Sequence, residues 1–229
     1  MTASTPGNYL VLCLLFLTSL LACTNGTPPE SVTEENPSAP GFLADKSDPQ
    51  AIQLADEVMK AMGGRQNWDQ TRYLSWNFFG RRQLYWDRWT GNVRVESPGD
   101  SLTVLLNIHK KTGKVQKGGN AILQADSLAN LVNVGYEIWV NDSYWLVMPF
   151  KLKDSGVSLR YVGKDTTQTG AASEVVELQF NEVGVTPENK YRVFIDPESK
   201  LVQQWSFYPR ATDSTAQFVT PWDQYDHHG

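Results

Sequence analysis

The chain has 229 residues, 41% hydrophobic and 20% charged, enough for one globular domain with appendages and too little for a large multidomain enzyme. Twenty Lys and Arg against 25 Asp and Glu give a net charge of −5, so no broad positive field invites a phosphate backbone and nucleic acid is not an expected partner. Two cysteines can build neither a disulfide framework nor a thiolate zinc cage, and of the three histidines two, His227 and His228, lie at the C-terminal end.

The first 22 residues contain no Asp, Glu, Lys or Arg, and Leu10 to Ala22 is an almost unbroken apolar run. Spanning a bilayer core takes about 20 apolar residues. A shorter run ahead of small residues reads as a secretory signal peptide over residues 1–22. Its end, Leu20-Leu21-Ala22-Cys23, resembles the bacterial lipobox, in which a signal peptidase cuts before the cysteine. The resemblance implies that Cys23 is lipidated: its thiol carries a diacylglycerol and its amine a further acyl chain such as palmitate. Each buried methylene contributes about 0.8 kcal/mol, so two or three such chains hold a protein at a membrane without a spanning helix. Thr24, rather than Asp, after the cysteine implies export to the outer membrane. Residues 23–50 then read as an acylated cysteine followed by a disordered tether. Pro28, Pro29, Pro37, Pro40 and Pro49, with Glu30, Glu34, Glu35, Asp45 and Asp48 against Lys46, offer little apolar surface to order it. The acidity sits there, and the folded domain expected over residues 51–229 is nearly neutral.

Ser47 and Gln50 have capping-box spacing and Pro49 suits a first turn. Ile52, Ala55, Val58, Met59 and Met62 recur at helical period until Gly63-Gly64, which predicts an amphipathic helix. From Arg72 the pattern alternates. Leu74, Trp76 and Phe78 share one side, Leu84 and Trp86 continue it, and Val93 to Glu96 follows a Thr90-Gly91-Asn92 turn. Leu102, Val104, Leu106 and Ile108 alternate up to Lys111-Thr112-Gly113-Lys114, which reads as a hairpin tip. Asp126 is the expected cap of a second helix, whose Leu128, Leu131, Val132 and Gly135 share a face running toward Trp139. Further strands are expected over Tyr144 to Phe150, Val157 to Val162, Glu174 to Val183, Tyr191 to Ile195 and Leu201 to Tyr208. Asp196 to Lys200 turns the chain between the last two. The order of elements predicts an α+β fold, with two helices gathered on one face of an antiparallel sheet.

Catalytic signatures are missing from the sequence. There is no phosphate-binding glycine loop, nucleophile elbow or His-Glu-x-x-His helix. His109 falls beside a hairpin tip, a poor place to hold an imidazole base. Asp87, Glu137, Asp142, Asp154 and Glu177 could pair as acid and base only if the fold brought two together. Asp87 in YWDRW and Asp142 in NDSYW stand beside aromatics, as in sugar sites, although turn-forming Asp explains both more simply. Arg81-Arg82 reads as a salt-bridged outer face. No enzyme activity, metal or cofactor is expected. All eight tryptophans lie after residue 50, where they can pack a core, line an acyl pocket or present a platform.

Three segments, WNFFGRRQLYWDRWTGNVRVE (76–96), GYEIWVNDSYWLVMPFKLKDSGVSLRYVG (135–163) and VGVTPENKYRVFID (183–196), resemble a family of uncharacterised bacterial lipoproteins. The fold of that family is similar to the LolA-type outer-membrane lipoprotein-sorting carriers. The resemblance spans residues 50–222 and implies a curved antiparallel β half-barrel covered by two helices over an apolar cavity. Such folds commonly continue with a further strand after a segment like Thr220 to Asp223, whereas this chain stops at Gly229, so either an open sheet edge or a shortened gene is expected. On strand parity, the cavity lining is expected from Trp76, Phe78, Leu84, Trp86, Val104, Leu106, Tyr144, Leu146, Met148, Leu178, Phe180, Val193, Trp205 and Phe207. The expected role is sequestration of a lipid or acyl chain by an envelope protein anchored to the membrane. The competing expectation is a scaffold with a filled core that docks a partner protein or a glycan through an edge or an aromatic surface.

Overall fold

The computed structural model describes Met1, Thr2 and residues 35–227. The apolar run at the N-terminus, Cys13, Cys23 and His228 lie outside the described residues. The chain divides into Met1–Thr33 and a compact unit, Glu34–Gly229, which carries every element described below.

Six strands form one antiparallel meander: β1 (Tyr73–Phe78), β2 (Arg82–Asp87), β3 (Asn92–Ser97), β4 (Leu102–Asn107), β5 (Thr112–Lys117) and the short β6 (Asn120–Ala121). Five more form a second: β7 (Val157–Thr166), β8 (Ala172–Phe180), β9 (Lys190–Ile195), β10 (Val202–Tyr208) and β11 (Phe218–Pro221). Helix α1 (Pro49–Ala61) and the short α2 (Arg65–Gln70) precede the first sheet, and α3 (Ala125–Val147) joins the two. The α+β class and the antiparallel order are as the pattern predicts; the strands are shared between two sheets.

Each sheet has its own core. Leu84, Val93, Val95, Val104, Leu106 and Val115 of the first pack against Leu128, Leu131, Val132 and Trp139 of α3. Leu159, Val176, Leu178, Val193, Ile195, Val202 and Trp205 of the second pack under Ala51, Leu54, Ala55 and Val58 of α1, with Tyr144 and Trp145 from the far end of α3. A helix of 23 residues spans about 35 Å, long enough to serve both.

Four expectations change. Tyr144 to Phe150 is not a strand but the last turn of α3 and a 3-10 turn over Met148–Phe150. A short apolar run fits period 2 and period 3.6 alike, and continuity with the preceding helix decides. The cap of α3 is Gln124, whose Oε1 accepts from Ser127 N at 2.7 Å, in place of Asp126. The hairpin tip falls just before Thr112, so Thr112, Gly113 and Lys114 already belong to β5. The capping box of α1 is not formed either. Ser47 Oγ donates to Leu43 O and accepts from Leu159 N, while Asp48 Oδ2 accepts from Tyr161 N.

Those bonds also move the domain boundary. Leu43 N donates to Val157 O and Asp48 N to Leu159 O, so residues 43–48 cover the outer edge of β7. Asn36 is buried against Asp56, and Phe42 packs on the second core. Residues 36–48 therefore belong to the folded unit, not to the expected tether, because an edge strand with unpaired amides recruits the chain that lies before it.

Candidate functional site

The C-terminal turns of α3 carry adjacent rings. Successive helical residues point about 100° apart, so Tyr144 faces the second sheet while Trp145 faces the gap between its free end and the β1–β2 hairpin. Tyr144 lies 5.6 Å from Phe180 and 5.8 Å from Trp205 between ring centroids. Trp145 lies 5.7 Å from Trp205, 6.1 Å from Phe207, 5.6 Å from Phe218 and 6.3 Å from Phe79. Phe79 and Phe218 are 6.4 Å apart, 62% and 43% exposed. An unbroken aromatic seam thus runs from solvent to Trp205, which is fully buried.

The backbone holds the outer end of this seam at a cost. Phe79 has φ +48°, a left-handed conformation that bulky residues avoid, and Gly80 follows at +71°. Gly80 N donates to Asn77 Oδ1 at 2.6 Å and Arg81 N to Phe78 O at 3.0 Å, which closes the turn. Beneath it Arg82 makes a two-pronged contact of 2.6 and 2.9 Å with Asp142, whose side chain is fully buried, fixing β2 to α3. Arg82 is therefore an inward tie between strand and helix, not part of an outer face.

Inside the seam two donors meet no protein acceptor among the described residues, the Tyr144 hydroxyl and Trp205 Nε1. Burial pushes the Tyr144 hydroxyl well above its usual range and raises Tyr191 to about 12. Under the first sheet the indole N–H groups of Trp76, Trp86 and Trp139 are likewise buried without an acceptor.

The fourteen expected lining residues divide between the cores. Trp76, Phe78, Leu84, Trp86, Val104 and Leu106 lie in the first. Tyr144, Met148, Leu178, Phe180, Val193, Trp205 and Phe207 lie in the second. Leu146 is 37% exposed, turned outward by the helix that replaces the expected strand. The seam residues that sequence reasoning missed have identifiable signals. Phe79 breaks strand alternation just before Gly80, and Trp145 stands between the expected lining residues Tyr144 and Leu146, where a period of 2 does not select it. Phe218 lies in β11, which follows the turn residues Pro209, Asp213 and Ser214 but at four residues is too short to show a period of 2.

The five carboxylates are separately engaged. Asp87 accepts from Arg72, from Trp89 N and from Thr90 N, so it is a turn former, and the Arg72 guanidinium holds it far below the usual carboxylate range. Glu177, 1% exposed, accepts from Arg160 and Arg192 with Lys190 at 3.8 Å. Asp154 meets Lys151, and Glu137 accepts from Asn133. His109 is exposed.

Concavities lie apart from the seam. One is a hollow of about 10 Å³ beside Asn36, Met59 and Lys153. Another is an open saddle of about 760 Å³ on the face of the first sheet turned away from α3, where Tyr73, Tyr85, Asn92, Leu105 and Thr112 are exposed or half-buried. Among the described residues no helix is long and apolar enough to cross a membrane.

The fold defines an α+β protein of two antiparallel meanders joined by one long helix. No protein-family model matches the chain, and no curated protein matches it. Among solved structures, that of MucB is similar over 70% of this chain and 53% of its own, at 13% identity and a TM-score of 0.26. The chain thus spans about half the length of MucB.

Proposed function

We propose that this protein is an envelope lipoprotein, anchored at the outer membrane through acylated Cys23, whose domain sequesters a lipid or the acyl chain of another lipoprotein. The observation that carries the reading is the aromatic seam, a continuous apolar path from the exposed Phe79 and Phe218 past Trp145 to the buried Trp205. Once parted, the rings would offer apolar faces to a hydrocarbon chain. The free Tyr144 hydroxyl and Trp205 Nε1 are suited to a carbonyl of the same ligand. Entry requires Phe79 and Phe218 to part from Trp145, and the strained turn is the element that moves.

The mechanism is retention, with no bond made or broken and no cofactor needed. Burying a 16-carbon chain is worth on the order of 10 kcal/mol gross at about 0.8 per methylene, much of it offset by lost freedom. Native mass spectrometry of the protein tests the reading: a co-purifying fatty acid or phospholipid is expected, reduced in Trp145→Ala. A clean mass for the wild type under gentle conditions would refute it. The anchor is tested apart, since Cys23→Ala should release the protein from membranes. Retention of a processed variant there would refute the anchor alone.

A further inference from the structure

The outward side chains of the first sheet form rows set by strand register. Ser75, Tyr85, Arg94, Leu105 and Lys114 stand opposite one another across β1 to β5; Tyr73, Asp87, Asn92, Asn107 and Thr112 make the next row. This face forms the open saddle of about 760 Å³. Tyr73 and Tyr85 are diagonal neighbours, 67% and 44% exposed, and Trp89, at 62%, stands at the same end of the rows. The Arg72 guanidinium lies 4.7 Å over Tyr73 and 5.1 Å over Trp89, and Asp87 locks it there through bonds of 3.1 and 2.9 Å. Arg72 thus holds the Tyr73 and Trp89 rings from one side, and both remain more than half exposed.

We propose that this saddle binds a neutral glycan chain. A pyranose ring offers an apolar C–H face to an aromatic ring and a rim of hydroxyls to polar neighbours; Tyr73 and Tyr85 stand beside Ser75 at one end of the rows, and Asn92, Asn107 and Thr112 carry the second row on as polar side chains. Charge selects against ionic ligands. Arg72 is compensated by Asp87 and Arg94 by Glu96, and Lys114 is the remaining cation of the two rows, a single charge that makes no broad positive field for a polyanion. A protein partner would want a central apolar anchor, and Leu105, 41% exposed, is the single aliphatic side chain pointing into the saddle from the two rows. The amides of β2 to β4 are already paired on both sides, so an added strand has no place on this face.

The test is calorimetric titration of the full chain, held in a detergent without a sugar head group, with cellohexaose, N-acetylchitohexaose and maltohexaose. At least one should bind. The pair of changes Tyr73→Ala and Tyr85→Ala together should weaken that binding about tenfold or more. Because both side chains are exposed, melting should shift by no more than about 2 °C. Gln83→Ala, on the same face but outside the two rows, should leave binding unchanged. The proposal is overturned if none of the three binds, if the tyrosine variant binds as the wild type does, or if the same tyrosines serve only a peptide or polygalacturonate. Fatty-acid retention should survive the tyrosine changes, so the two sites fail or stand separately.

Discussion

Phe79 combines exposure, a left-handed backbone and contact with the seam, and those features separate stability from function. An L residue there costs roughly 1–2 kcal/mol, which glycine does not incur. Phe79→Gly should therefore leave melting equal or higher, the relief of strain offsetting the greater freedom of the unfolded chain. The same variant should retain less fatty acid in native mass spectra, and a large loss of stability would contradict this account of the turn. Glu177 gives the pH behaviour. Burial works against its carboxylate, but bonds from Arg160, Arg192 and Gln179, together with the Lys190 charge, outweigh it and hold the group below its usual range. A lowered folded value means its stabilisation is complete above the ordinary Glu range of about 4 and disappears as pH falls through the folded value. Chemical denaturation from pH 7 to 3 should show a shallower acid limb for Glu177→Gln. Stability at neutral pH should also be lower, because three cations lose their counter-charge. Equal acid limbs in both proteins would rule out Glu177 as a source of acid sensitivity.

Among the elements, α3 depends on one close approach. A Cβ on Gly135 would lie 2.7 Å from Val104 Cγ1 of β4, and a valine side chain has few alternatives. Replacement gains about 1 kcal/mol of helix propensity, while forcing bulk into a packed interface costs ~1–3 kcal/mol or more. Gly135→Leu should accordingly lower the urea midpoint, and a midpoint at or above wild type would show that the helix can lift off the sheet freely. Element types were legible where periodicity was long: α1, β1 to β4, and β7 to β10 follow from spacing and turn residues. The Asp196 turn is built as its residues suggest, with Oδ1 accepting from Glu198 N and Ser199 N. The C-terminal half of α3 was not legible, because Tyr144 to Phe150 satisfies both periods. Nor were the edge contacts of residues 43–48, where side chains that read as caps bond to β7 instead.

On the scale of the whole molecule, the chain builds two cores and threads one helix through both. The sequence by itself determined the α+β class, the antiparallel order and the apolar faces, because burial needs only a local period and a turn to be written into the chain. It also placed most of the buried residues on their sheets by strand parity. Tertiary structure alone decided that the strands divide between two sheets, that Leu146 turns out while Trp145 joins Phe79 and Phe218, and that Arg82 meets Asp142 sixty positions away. Those outcomes depend on which surfaces meet in space, and no local period encodes the partner of a side chain that waits on a distant element.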